Sequence, residues 1–438
     1  MGKLSQVIHE FWDRGVPELK PRRFDRRLTA NDLVNDIVGI RRCGKTYLMF
    51  CLMREVAEPR SAIYVNFEDR RLSPLSPGVL DDLLDFILEE ELLSKFKRVS
   101  LFLDEIQNVP GWERFARNLH DEYRGRIKVF VSGSNASLLS EDYGRLLTGR
   151  HLTITLFPLS FPEYLDFQGF RFEKDTLLVQ RKRALLVKHF RGYLEHGGFP
   201  EAVLGRSPAE LLRQYYSDIV VRDVTTRARL RKERGVVEAV AQYVITNAAS
   251  LLSLRRVTAF LNSTGVKITV PTVGYYLRLL EDSFVVFGVS GYSHRVKDQL
   301  RYPRKYYCVD NGLRNAVSFR VSADTGRLCE NLAAVELRRR GKEVYYWKDA
   351  EQHEVDFVVR EGLAVAELIQ VCADPSDPVI MKRELRALAK AGEELRCRRL
   401  RVLTQDFEQE KVLALRGRRT RVKFQPLWKW LIESQIPR

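Results

Sequence analysis

Gly39-Ile40-Arg41-Arg42-Cys43-Gly44-Lys45-Thr46 follows Asp36-Ile37-Val38, which reads as a short buried strand, and precedes residues 47–56, whose apolar positions recur with helical spacing. Strand, glycine-bounded loop and helix, in that order, are the setting a phosphate-binding loop requires. Gly39 and Gly44 permit backbone conformations closed to other residues. The loop amides and the positive end of the following helix then accommodate phosphate oxygens. On this reading all eight residues cradle a nucleotide, Lys45 reaches its β and γ phosphates, and the Thr46 hydroxyl ligates Mg2+. The plain alternative is a chance glycine-rich turn, and the sequence downstream argues against it.

Residues 61–66 read as a second strand and are followed by Glu68-Asp69. Val99-Ser100-Leu101-Phe102-Leu103 is a buried strand that ends in Asp104-Glu105, which sets two carboxylates at a sheet edge near the loop. Asp104 is expected in the Mg2+ shell, and Glu105 is expected to orient or deprotonate the attacking water. That pair favours ATP hydrolysis over passive binding of ATP or ADP. A third strand, residues 128–131, leads into Ser132-Gly133-Ser134-Asn135. Either one of Ser132, Ser134 and Asn135 senses the γ phosphate, or the three only cap a helix beginning near Ala136.

A chain of 438 residues exceeds one ordinary core and implies two to four domains. No apolar run approaches the ~20 residues that cross a bilayer, and residues 1–5 do not open a secretory core, so a cytoplasmic protein without a membrane partner is expected. The six cysteines form no CxxC pairs, which indicates neither a zinc site nor a disulfide framework. The net charge of +16 favours a polyanionic partner, although a solvated, heat-adapted surface would also carry it. Residues 222–234 hold six basic residues against two acidic, and residues 411–438 hold eight against one.

Helical tracts on both sides of Gly197-Gly198-Phe199-Pro200-Glu201 fill residues 166–236, read as a lid or linker. Residues 237–248, 253–261 and 271–280 then predict three helices, followed by a strand at 284–289 and a wing near 292–301. This order resembles a winged helix-turn-helix over 237–302. Residues 251–280 contain no Asp or Glu. Arg255, Arg256 and Lys267 would meet DNA phosphates, and Thr272, Tyr275 and Arg278 would lie on a recognition helix. Tyr276 competes as a core residue, and small winged domains also bind proteins.

Four segments together carry a wider resemblance: GIRRCGKT at 39–46, LFLDEIQNVPGWE at 101–113, VFVSGSNASLLS at 129–140 and LLTGRHLTITLFPLSFPEYL at 146–165. The chain resembles the archaeal and bacterial family of AAA-type ATPases with a C-terminal restriction-endonuclease-like domain. The resemblance implies an α/β multidomain protein: a P-loop AAA-type ATPase core over 1–165, the lid, the winged helix-turn-helix, and an endonuclease-like α/β domain over 303–438. It further implies a catalytic set of Lys45, Glu105 and Arg150, the last acting as a finger on a neighbouring subunit of a homo-oligomer, with Arg145 as a weaker competitor. In the C-terminal domain Glu330 and Asp356 match the helix acid and second-strand acid of a metal-dependent nuclease. The third-strand acid and lysine are replaced by Gln370-Val371-Cys372, which supplies neither the carboxylate charge nor the point charge. Glu367 and Lys382 are the residues that could migrate into such a site. The expectation is an ATP-hydrolysing switch or motor on DNA. Its alternatives are a nucleotide-gated protein-interaction or toxin-control module with weak ATP turnover and a regulatory protein as partner, and a metal-dependent DNA nuclease with a displaced active site.

Overall fold

Short runs of β-branched and aromatic residues, each bounded by turns or charged segments, build three sheets. A computed structural model of the chain describes residues 2–56, 58–135, 147–173, 175–225, 233–293, 302–318, 325–415 and 418–433. The chain divides into two compact units, Met1–Phe157 with Asp282–Phe284, and Pro158–Glu281 with Val285–Arg438.

In the first unit five strands, β1 (Val34–Val38), β2 (Ala62–Asn66), β3 (Val99–Asp104), β4 (Ile127–Gly133) and β5 (His151–Thr155), form a wholly parallel sheet in the order β2-β3-β4-β1-β5. Every residue of β1, β3 and β4 is buried, as expected of parallel strands covered on both faces. Helices Lys3–Arg14, Lys45–Val56, Gly78–Glu89 and Trp112–Glu122 complete this layer structure. Because β1, β3 and β4 are neighbours running the same way, the loops that follow them emerge at one edge. That edge brings together residues 39–46, Asp104-Glu105 and Ser132-Gly133-Ser134, the usual position of a ligand site in an open α/β sheet.

The second unit begins with helices Phe161–Phe167, Gln180–His196, Pro200–Leu204 and Pro208–Tyr216. Ser160 and Glu163 form a capping box on the first. The Gly197-Gly198 turn is clasped from below: the Asp310 carboxylate accepts from the Gly198 and Leu313 amides at 2.7 and 3.0 Å, and a Cβ on Gly198 would stand 2.3 Å from the Leu159 carbonyl oxygen. Burial pushes the Asp310 carboxyl up to about 6.

Helix Arg234–Thr246, β6 (Ser250–Leu252), helices Leu254–Ser263 and Val270–Asp282, β7 (Val286–Val289) and β8 (Arg304–Cys308) follow, with an antiparallel sheet ordered β6-β8-β7. Most of the expected wing, residues 294–301, lies outside the described residues, as does Arg145. The C-terminal part comprises helix Thr325–Arg339, β9 (Glu343–Lys348), β10 (Glu354–Glu361), β11 (Ala364–Val371), helix Pro378–Glu394, β12 (Leu400–Thr404), β13 (Gln409–Leu415) and β14 (Arg418–Pro426). Their order is β13-β14-β12-β11-β10-β9. β9, β10 and β11 form an antiparallel meander, and the helix 378–394 is the crossover that lets β12 run parallel to β11.

All six cysteines are unpaired, and among the described residues no helix is long and apolar enough to cross a membrane. One group absent from the sequence reading, Asp349, Glu351 and His353, brings potential metal-ligand atoms within 4.8 Å of one another. The Lys390 ammonium already bridges it, at 2.7 Å from Asp349 and 2.9 Å from Glu351.

Candidate nucleotide site

Buried Val38 hands the chain to Gly39, where a Cβ would lie 2.2 Å from the Leu156 carbonyl oxygen; only glycine fits there. Ile40 and Cys43 are buried beneath the loop, and Arg42 and Gly44 adopt positive φ (67° and 100°). Arg22, 5 % exposed, holds the loop from the side, donating to the Cys43 carbonyl at 2.5 Å and to the Phe157 carbonyl at 3.1 Å. No local motif marks Arg22, since its partners lie 21 and 135 residues away. Arg41 pairs with Glu68 at 3.2 Å, so one member of the Glu68-Asp69 pair faces the loop. Asp69 turns instead to Arg71 at 2.7 Å.

Lys45, 5 % exposed, directs its ammonium to the loop carbonyls of Gly39 (3.1 Å) and Ile40 (3.4 Å) and stands 3.7 Å from Glu105 Oε1. Thr46 Oγ1 donates to Asp104 Oδ2 at 2.6 Å. At the end of β3 Glu105 takes a left-handed conformation (φ 53°), a small strain that turns its carboxylate back toward Lys45. Gln107 Nε2 and Ser134 Oγ donate to Glu105 Oε2 at 2.5 and 3.1 Å. Ser132 donates to Asp104 Oδ1 and accepts from the Glu105 amide at 3.1 Å. Ser132 and Ser134 therefore both sit on the acidic pair, and Asn135 is half-buried beside them in sequence. The Tyr64 hydroxyl, which sequence reading missed, also donates to Asp104 Oδ2, at 2.9 Å; burial and that carboxylate push its pKa up, so it stays a donor.

Arg150 lies elsewhere. It immediately precedes β5, whose His151 pairs with Val34 at the start of β1, whereas the loop leaves the other end of β1. Five strand residues separate the two edges by about 16 Å, so Arg150 does not reach the loop of its own chain. There it pairs with Asp121 at 2.8 Å.

Residues 31–165 match the family model described as an AAA domain, residues 187–324 a domain of unknown function (DUF8612), and residues 325–412 a second one (DUF4143). An uncharacterized protein of Methanocaldococcus jannaschii is 31% identical over 402 residues, 90% of this chain and 87% of the relative. The chain belongs to this family of AAA-type ATPases. An uncharacterized Haemophilus influenzae protein is 30% identical over 76% of the chain and 80% of its own length. The solved Walker-type ATPase of Pyrococcus abyssi aligns with 68% of this chain and 99% of its own at 12% identity and a TM-score of 0.44. The AAA domain makes the protein an ATP-binding, ATP-hydrolysing enzyme, and its parallel sheet is of α/β architecture.

Two further residue groups of the AAA ATPase lie in its second unit. Arg255, Arg256, Lys267, Tyr275 and Arg278 are exposed and Thr272 is half-buried, bonded to Thr269 at 2.8 Å; Tyr276 is core at 1 % exposure. Glu330 and Asp356 do converge, and they do so on Lys305 of β8. Its ammonium lies 3.0 Å from each of them and 2.6 Å from Glu354. Burial and the neighbouring Asp356 push Glu330 up to about 7, against the pull of Lys305. Gln370 does not face this lysine; it accepts from the Asp356 amide at 3.2 Å and donates to Glu384 at 2.6 Å. Glu367 pairs with Arg401 at 2.7 Å and Lys382 is exposed, so neither migrates into the cluster.

Proposed function

We propose that this AAA ATPase is a nucleotide-driven switch or motor that acts on DNA. In its nucleotide site Lys45 holds the β and γ phosphates, with the amides of residues 39–44 around them. Thr46 and Asp104, a hydroxyl and a carboxylate, are the hard oxygen donors that suit Mg2+. When bound, Mg2+ supplies charge neutralisation on the phosphate oxygens. Glu105 takes the proton of the attacking water, and its contacts from Gln107 and Ser134 fix the carboxylate for that role. Asn135 reports the γ phosphate, because Ser132 and Ser134 are committed to Asp104 and Glu105. Arg150, which does not reach its own loop and pairs with Asp121 within its chain, is offered to the site of a second copy in a homo-oligomer.

The observation that carries the DNA reading is the acid-free tract 251–280 with Arg255, Arg256, Lys267 and Arg278 all exposed. Its helix, strand, two helices and antiparallel strand pair support a winged helix-turn-helix whose helix 270–282 enters a groove. The meander and helix-linked parallel strand of the C-terminal part support the endonuclease-like reading. Lys305 neutralises Glu330, Glu354 and Asp356, and Gln370-Val371-Cys372 supplies neither the missing acid nor the lysine, so this domain serves as a scaffold and not as a nuclease. Exposed Phe260 and Tyr275 favour a second reading, in which a regulatory protein docks on the same module.

ATP turnover measured with and without single- and double-stranded DNA tests the proposal. Turnover should rise with DNA at low salt, and indifference to both forms of DNA would remove the DNA reading.

A further inference from the structure

Asp104 is caged by three hydroxyls. Thr46 and Tyr64 donate to Oδ2 at 2.6 and 2.9 Å, and Ser132 donates to Oδ1. Thr46 and Ser132 belong to segments that carry the nucleotide chemistry, whereas Tyr64 comes from β2. There it pairs with Phe102, and two residues on Asn66 pairs with Asp104 itself. Its ring is 7 % exposed and fixed between Phe11 and Phe50, with centroids 4.8 and 5.0 Å away. The three donors are not equivalent. The Thr46 oxygen is also the one expected to serve the cation, through a lone pair while its proton stays on Oδ2, so its position answers to the metal as well as to Asp104. The phenol has no such second duty and cannot swing away without unpacking the ring.

We propose that Tyr64 is a positioning residue for the Mg2+–ATP site, holding Asp104 in the orientation that faces Thr46 throughout the nucleotide cycle. This rests on the reading of Thr46 and Asp104 as the Mg2+ residues. The reading implies that Tyr64 contributes to the affinity gained when Mg2+ accompanies ATP and contributes little to ATP binding without the metal. A lost hydrogen bond to a carboxylate sets the scale at about tenfold.

The test uses the full chain and a fluorescent ATP analogue, with affinity measured in EDTA and in Mg2+ for the wild type, Tyr64→Phe and Thr46→Ala. Phenylalanine removes only the hydroxyl. Alanine would also open the cavity of about 600 Å³ that Tyr64 lines with Phe11 and Phe50. Tyr64→Phe should bind like wild type in EDTA and lose about tenfold of the Mg2+-dependent gain, with the Mg2+ needed for half-maximal hydrolysis rising in parallel. A wild-type gain in Tyr64→Phe while Thr46→Ala loses it would overturn the positioning role alone. A full gain in both variants would overturn the Mg2+ assignment and this inference with it. Equal loss in EDTA and in Mg2+ would mean that the phenol only supports packing, and would also overturn it.

Discussion

Lys305 and Asp356 form a 3.0 Å ion pair across 51 residues of sequence, with side chains 3 % and 8 % exposed. Glu330 and Glu354 share the same ammonium, so one buried lysine balances a nest of carboxylates that would otherwise repel. Removing it strands those charges away from water, which costs about 3–5 kcal/mol for a buried pair. Lys305→Met should therefore lower the denaturant midpoint strongly, and adding Glu330→Gln and Asp356→Asn should restore part of the loss. Chemical unfolding of the three proteins checks this. An unchanged midpoint in Lys305→Met would show that the ammonium is dispensable.

Asp36, fully buried in β1, accepts from His151 Nδ1 at 2.7 Å and from Thr153 at 2.8 Å. The hydrogen bond to Asp36 raises the His151 pKa above its ordinary 6.5, against burial. A raised histidine pKa means the folded state holds the proton more tightly. The stabilisation is complete below pH 6.5 and is lost as pH rises through the folded value. Stability of the first unit should fall across that window, and His151→Gln should flatten the fall. Urea unfolding at a series of pH values decides it; parallel pH profiles for the two proteins would contradict the assignment.

Arg255, Arg256 and Lys267 make phosphate contacts in the DNA reading. Neutralising all three should weaken binding of unrelated DNA sequences alike and reduce the slope of log affinity against log salt by about 1 per contact. Tyr275→Ala should instead alter sequence preference or a protein contact. Fluorescence anisotropy at several salt concentrations measures both, and an unaltered slope would place the DNA elsewhere.

The strand, loop and helix around residues 39–46 are legible because glycine spacing and apolar periodicity are local properties. So is the run from Val99 into Asp104-Glu105, and Lys45, Thr46, Asp104, Glu105, Ser132 and Ser134 lie together because parallel neighbours share one edge. Tyr64 and Arg22 carry no such mark. A tyrosine within Ala62–Asn66 reads as strand filler until register sets it beside β3, and Arg22 finds its partners through loop packing. Lys305 was hidden for the same reason. The alternations Lys305-Tyr306-Tyr307 and Glu354-Val355-Asp356 put like-facing polar residues two apart, a visible hint of one polar face within apolar strands. Which carboxylates that lysine would meet depends on pairings 25 to 51 residues distant. Arg150 is a different case: the resemblance offers it to the site of a neighbouring subunit, and the register of β5 sets it at the edge of the sheet away from its own loop.

The central claim is that ATP is hydrolysed at the Lys45–Glu105 edge of the first sheet. ATP turnover by Glu105→Gln, measured beside its ATP affinity, tests it most directly. The account predicts a fall of about 10²-fold or more in turnover with ATP still bound, and loss of binding as well in Lys45→Ala. Wild-type turnover in Glu105→Gln would contradict it.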